Sequence, residues 1–335
     1  MKRGLSFCII FILLIGLAGS AGAHEEKDEA PEGRLFLTVS QLAMSVVGDT
    51  EDIYVGTIPR DRVTWESDDE KVVVVEDGVL TATGVGTTTV RARSGEDVLE
   101  CTVSCLANTR DELMTLGESV VRSPKRVPPE SGESAKDYFQ DSAIIGDSIA
   151  YIMFQYETIH GLLGHPLFLA RGGTSLNGFV LHYKNVFYQG AEVYLEDAVA
   201  ASGVKKVFIM LGQNDLGYRT IEETMGSWDI LLPRLMEGNP DLEIYLQSCV
   251  AEWQETWGYG TKNKKIREYN EVLKAYAQEH GYHFVDVAPY VEDHIGAMAT
   301  VYSMDRGIHL NEDGCIVWMK ALDAYAERQM TGEKK

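Results

Sequence analysis

Positive charge is in short supply in this chain. Lys and Arg number 30 against 51 Asp and Glu, leaving a formal net charge of -21. A surface of that sign repels nucleic acid and anionic lipid headgroups, so neither is an expected partner. Long hydrophobic runs are missing too. The apolar run Leu5 to Leu17 is too short for an ordinary membrane span, and no later stretch approaches the roughly 20 apolar residues one needs. Cysteine is sparse, at 5 residues, and Cys8 lies inside the apolar run. Of the rest, Cys101 and Cys105 sit four apart in one expected strand, which holds their Cα atoms about 13 Å apart, beyond disulfide reach. Cys249 ends another expected strand and Cys315 opens a helix, so free, buried thiols and no disulfide framework are expected. His160, His165, His182 and His294 lack metal-ligand spacing. Neither a metal nor a cofactor is expected.

What is present is ordinary for a folded protein: 45% hydrophobic and 24% charged residues over 335 positions, enough for two domains. Lys2 and Arg3, the apolar run and Ala21-Gly22-Ala23 have the three parts of a signal peptide. Residues 1–23 are therefore expected to be cleaved after Ala23, leaving a secreted or cell-surface protein, with an uncleaved anchor as the alternative.

From 34 to 106 short β-branched runs dominate, separated by Gly, Asp and Pro: Leu35 to Val39, Lys71 to Val75, Thr87 to Ala92 and Val98 to Val103. Such spacing predicts an all-β sandwich. The segments Ser45-Val-Val-Gly48, Val63-Thr-Trp-Glu-Ser67 and Asp77-Gly-Val-Leu-Thr-Ala-Thr-Gly-Val-Gly86 resemble a bacterial immunoglobulin-like domain of group 2 (BIG2). The resemblance implies a spacer or adhesion module on the cell surface; Trp65, a lone Trp on a strand, is expected to pack in the core, and no catalysis is expected of this domain. Residues 107–140, rich in Pro, Ser and charge around Arg122 to Ser134, read as a linker or a loop wrapping the next domain.

From 141 to 330 the pattern changes to strand-helix alternation, which predicts a parallel sheet with right-handed crossovers. The expected strands are Ala143–Ile145, Pro166–Ala170, Lys206–Leu211, Glu243–Gln247 and His283–Val287. The expected helices are Ser148–His160, Ala191–Ala201, Trp228–Met236, Lys265–His280 and Glu312–Arg328. Five strands in flavodoxin-like order, 2-1-3-4-5, are expected, with helices on both faces. Sites in such sheets form beyond the carboxyl ends of the strands. There the sequence places Gly146-Asp-Ser-Ile149, Arg171-Gly-Gly-Thr-Ser175, Gly212-Gln-Asn-Asp215 and Asp305-Arg-Gly-Ile-His309. A serine, a carboxamide, a histidine and a carboxylate at one sheet edge are the parts required for acyl transfer.

A serine hydroxyl needs a base within hydrogen-bond reach, and His309 is the candidate. Ser148 opens a helix, so its N–H and the positive helix end can stabilise an oxyanion. Gly173 can add a second N–H, with Gly172 as the alternative, and Asn214 can add a third donor. This ordered set, Ser148, Gly173, Asn214 and His309, resembles the SGNH (GDSL-type) hydrolase family across nearly all of 141 to 328. The resemblance implies a serine esterase working through an acyl-enzyme, with an acyl ester as its partner. The family commonly has Asp three residues before the His. Here Arg306 holds that place and Asp305 lies four before, so Asp305 is the expected orienting acid, a Ser-His dyad being the alternative. Asp147 and Asp215 are expected to bond loop backbone. Trp253, Trp257 and Tyr259, beyond the fourth strand, are expected either to form a substrate wall or to pack as ordinary loop residues. An acetyl or short-acyl ester on a polysaccharide or cell-wall glycan is the expected substrate. A non-catalytic binding protein with a decayed hydrolase domain, and an acyltransferase on the same scaffold, are the alternatives.

Overall fold

In the first third of the chain, period-two burial builds the sheets. On β8 (Gly86–Ser94) Thr88, Val90 and Ala92 point inward, and on β9 (Asp97–Ala107) Cys101, Val103, Cys105 and Ala107 do. The two strands form an antiparallel hairpin closed at Gly95, where φ is +60°. In the computed structural model, residues 36–56, 62–129, 136–253 and 263–330 are described, so the expected leader lies outside the described residues. The earlier strands are β1 (Phe36–Leu37), β2 (Gln41–Val46), β3 (Thr50–Asp52), β4 (Val55–Gly56), β5 (Thr64–Ser67), β6 (Val73–Glu76) and β7 (Val79–Ala82). β5 and β2 flank the hairpin, β2 running parallel to β9, while β3, β7 and β6 form a separate antiparallel sheet. Met44, Ile53, Leu80, Val90 and Val103 belong to one buried cluster, against which half-buried Trp65 packs.

The stretch expected to link the two halves carries regular structure. It forms α1 (Arg110–Thr115), α2 (Glu118–Val121) and β10 (Arg126–Val127), and β10 extends the first sheet by pairing antiparallel with β2. α3 (Lys136–Phe139) then leads into the second half.

The second half is an α/β domain on one parallel sheet. Its strands are β11 (Ser142–Gly146), β12 (Leu167–Ala170), β15 (Lys206–Met210), β16 (Glu243–Gln247) and β17 (His283–Val285). Their order, β12-β11-β15-β16-β17, is the expected 2-1-3-4-5. Every residue of β11 is buried, and so are four of five in β15 and in β16. A sheet covered on both faces therefore reads as unbroken apolar runs. Helix α4 (Ser148–His160) packs against α11 (Glu312–Met330). The longer α8 (Ile221–Glu237) packs against α5 (Leu176–Val180), α6 (Leu195–Ser202) and α9 (Asn263–His280).

Two helix expectations change. Ala191–Val193 is a strand, β14, paired with β13 (Val186–Tyr188) across Gln189 and Gly190, both at positive φ. Two consecutive positive-φ residues favour a tight hairpin, so the helix starts only at Leu195. The expected Trp228–Met236 helix begins a turn and more earlier, at Ile221. Thr220 and Glu223 form a reciprocal capping box there, which satisfies otherwise orphaned N–H groups. The four described cysteines are free and buried.

The two halves are knit together. Glu51 pairs with Lys125 at 3.0 Å and with Arg126, and Tyr290 Oη donates to the Thr38 carbonyl at 3.3 Å. Ser45 Oγ meets Nδ1 of buried His294 at 3.1 Å. Burial, helped by the charges of Lys125 and Arg110, brings the His294 imidazole down to about 4.

Candidate active site

The carboxyl end of β11 delivers the nucleophile candidate. Gly146 closes the strand because a side chain there would meet Ala150 Cβ at 2.6 Å, so α4 can turn off the sheet at once. Asp147 caps that helix, its Oδ1 accepting from Ile149 N–H at 2.9 Å. Ser148 follows at the first helical position.

Ser148 Oγ lies 3.0 Å from His309 Nε2, and His309 Nδ1 lies 2.6 Å from Asp305 Oδ2. Three expected site residues thus form one hydrogen-bonded chain. The local backbone explains how an acid four positions before the histidine reaches it. Arg306 adopts φ +55°, a left-handed turn uncommon for a residue with a Cβ. Asp305 Oδ1 accepts from Gly307 N–H at 2.8 Å and from His309 N–H at 3.4 Å, folding the loop around its own carboxylate. Partial burial pushes the Asp305 carboxyl up, but the bonds from His309 and Gly307 and the imidazole charge outweigh it. The net shift is downward, so Asp305 is an anion at neutral pH.

The other expected oxyanion donors lie in the segments that follow β12 and β15. Gly172 sits beside Ser148, since a Cβ on it would lie 3.9 Å from the serine Cβ. Gly173 adopts φ +74° with open space around it. Asn214 lies on α7 (Gln213–Leu216), and its Nδ2 donates to the Thr174 carbonyl at 2.8 Å and to Asp147 Oδ2 at 3.2 Å. The amide is thereby held between the glycine loop and the residue preceding the nucleophile. Burial pushes the Asp147 carboxyl up to about 6, against the pull of the Ile149 N–H bond and of His309. Asp215, wholly buried, accepts from the N–H groups of Leu176 and Asn177, each at 2.8 Å. It ties the α7 turn to the start of α5. Gly212 at the head of α7 has φ +111°, and a Cβ there would strike Tyr269 Oη at 2.3 Å.

Trp253 is half-buried, and the Arg122 guanidinium stands 5.3 Å from the centre of its ring. Its backbone N–H donates to the Gly307 carbonyl at 2.8 Å, which ties it to the loop of Asp305 and His309. Trp257 and Tyr259 lie outside the described residues. Arg122 was not singled out from the sequence. A lone arginine beside a Pro-rich stretch gives no local signal of burial. Among the described residues no group of His, Cys, Asp and Glu is arranged to hold a metal ion.

The model of the GDSL-like Lipase/Acylhydrolase family matches residues 144–315. Among solved structures, the chain is similar to a GDSL-like lipase from Bacteroides thetaiotaomicron. The identity is 17%, over 58% of this chain and 90% of that one, with a TM-score of 0.46. A member of the lipolytic protein G-D-S-L family from Veillonella parvula is 22% identical over 54% of this chain and 95% of that one, with a TM-score of 0.39. A carbohydrate esterase family 3 structure from Talaromyces cellulolyticus is 16% identical over 58% and 99%, with a TM-score of 0.41. A search of curated proteins returned no match.

Proposed function

The chain belongs to the GDSL-like lipase/acylhydrolase family, a family of ester hydrolases, and we propose that it removes acetyl or other short acyl groups from a carbohydrate through an acyl-enzyme on Ser148. The single observation that carries the mechanism is the chain Asp305–His309–Ser148, with contacts of 2.6 and 3.0 Å. In this reading His309 Nε2 takes the Ser148 proton as Oγ attacks the ester carbonyl. The oxyanion is met by N–H groups of Ser148 and Gly173 and by Asn214 Nδ2, which turns from one of its resting acceptors to do so. Collapse expels the alcohol, protonated by His309. Water activated by the same imidazole then releases the acid.

Several features support a polar alcohol portion in the ester. Arg171, just before the glycine pair, forms an exposed ion pair with Glu192 at 2.7 Å. Exposed Tyr151 stands one turn along α4 from Ser148, and exposed Tyr218 follows α7. Charged and aromatic groups around a serine suit a sugar better than an alkyl chain. We read Trp253, Trp257 and Tyr259 as further substrate contacts. The leader-like residues 1–23 and the BIG2-like segments support export and a surface spacer role for 34–106. A decayed, non-catalytic hydrolase is the weaker reading, because the Arg306 turn compensates for the displaced acid.

The test is acetate release from acetylated xylan beside a p-nitrophenyl ester series of rising acyl length. The proposal expects activity on the polymer and a preference for acetate over octanoate, both lost in Ser148→Ala. A preference for long chains without release from the polymer would refute the substrate class. Activity in Ser148→Ala would refute the nucleophile.

A further inference from the structure

The loop carrying Asp305 and His309 has little packing of its own. The two side chains are 40% and 29% exposed, and Met304 is exposed. Asp305 is held by His309 and by the backbone of Gly307. The Gly307 N–H holds Asp305 Oδ1, and the Gly307 carbonyl is held in turn by Trp253 N–H.

Trp253 is anchored from outside the matched family region. Arg122 caps the end of α2, and its side chain is only 5% exposed. Its Nη2 donates to the Trp253 carbonyl at 2.6 Å and to the Met298 carbonyl at 3.2 Å. Nη1 pairs at 2.7 Å with Asp293, whose side chain is wholly buried. Asp293 Oδ1 accepts from Ile295 and Ala297 N–H, at 3.0 and 2.9 Å. The Arg122 carbonyl accepts from Thr300 N–H at 3.1 Å. One planar guanidinium thus bridges two peptide carbonyls and a carboxylate, a fork that a lysine ammonium cannot reproduce. A continuous path runs from Arg122 through Trp253, Gly307, Asp305 and His309 to Ser148.

We propose that Arg122 is a positioning residue for ester hydrolysis, holding Trp253 so that the backbone of Gly307 keeps Asp305 on His309; this rests on the reading of Asp305 as the orienting acid. The segment between the β region and the sheet then belongs to the catalytic unit, although it precedes residue 144 where the family match begins. Neutralising Arg122 alone would leave Asp293 buried without a counter-charge, so the informative variant is Arg122→Lys.

The experiment measures kcat and KM on a soluble p-nitrophenyl ester for the full chain, Arg122→Lys, Asp305→Asn and the double variant, with thermal melts alongside. A misplacement of about 1 Å in a supporting element can cost on the order of 10²-fold. Arg122→Lys is expected to lower kcat by about 10- to 100-fold with KM changed by about twofold or less. In the Asp305→Asn background the same substitution is expected to change kcat by about twofold or less, because the two residues act along one path. Wild-type kcat in Arg122→Lys overturns the proposal, and so does an equal fold-loss in both backgrounds, which would mark a general loosening. Wild-type kcat in Asp305→Asn overturns both this proposal and the role of Asp305. An impaired Asp305→Asn with an unimpaired Arg122→Lys overturns this one alone. If Arg122→Lys melts below assay temperature, Arg122→Met with Asp293→Asn removes both charges together, and the same dependence on Asp305 decides.

Discussion

Replacing Asp305 by Asn probes the displaced acid with little change of shape. In the native loop Oδ1 accepts from Gly307 N–H and Oδ2 faces His309 Nδ1. Asn can keep the first bond only by placing its oxygen there, which turns its NH2 toward Nδ1. The imidazole must then carry its proton on Nε2, where it can no longer accept the Ser148 proton. The carboxylate's charge is lost as well. Two unit charges about 4 Å apart attract by about 1 kcal/mol in water and about 4 kcal/mol at an effective dielectric of 20. With Asp305 and His309 at 40% and 29% exposure, screening puts this site between those limits, equivalent to a roughly 5- to 10³-fold loss before the tautomer effect. A loss of about 10²–10³ in kcat is expected, below the roughly 10⁴ typical of a buried triad acid. Steady-state kinetics on p-nitrophenyl acetate, with a thermal melt to show the fold intact, makes the measurement. Wild-type kcat would rule out Asp305 as the orienting acid and leave a Ser148–His309 dyad.

Asn214→Ala should lower kcat by about 10²–10³ with a smaller change in KM; a pure KM effect in the same assay would show ground-state positioning only. Gly212→Ala should lower the melting temperature sharply, through its positive φ and the clash with Tyr269 Oη at 2.3 Å; an unchanged melt would contradict that account. His294 is lowered to about 4 from 6.5, so its contribution to stability is present above the unfolded value and fades as pH falls towards 4. Up to about 3 kcal/mol is at stake. A thermal melt series from pH 7 to 4 should show His294→Gln losing less stability over that window than the native chain, and parallel curves would contradict it.

The parallel sheet was legible because both its faces are covered, leaving apolar runs at Ala143–Ile145 and Lys206–Leu211 that no amphipathic helix would show. The site was legible because strand ends fix where loops converge, so four short polar clusters could be set at one edge. Less visible were elements with too few residues to show a period. Ala191–Val193 was absorbed into the helix that follows, and α1, α2 and β10 were hidden in a stretch whose Pro and charge suggest a linker. Tertiary contacts decide those segments. Arg122 is the sharpest case, since its role depends on Asp293, Trp253 and Met298, all more than a hundred residues away. Asp305 is the one carboxylate in the stretch leading to His309, but the Arg306 turn that brings it to the imidazole appears only in three dimensions.

Ser148 as the nucleophile of an acyl transfer stands or falls on covalent labelling. Intact-mass analysis after treatment with a fluorophosphonate tests it directly. One adduct per chain is expected, mapped to Ser148 by peptide sequencing, absent in Ser148→Ala and formed much more slowly in a His309→Ala variant. No adduct on the folded, native chain, or an adduct on another residue that persists in Ser148→Ala, would contradict it.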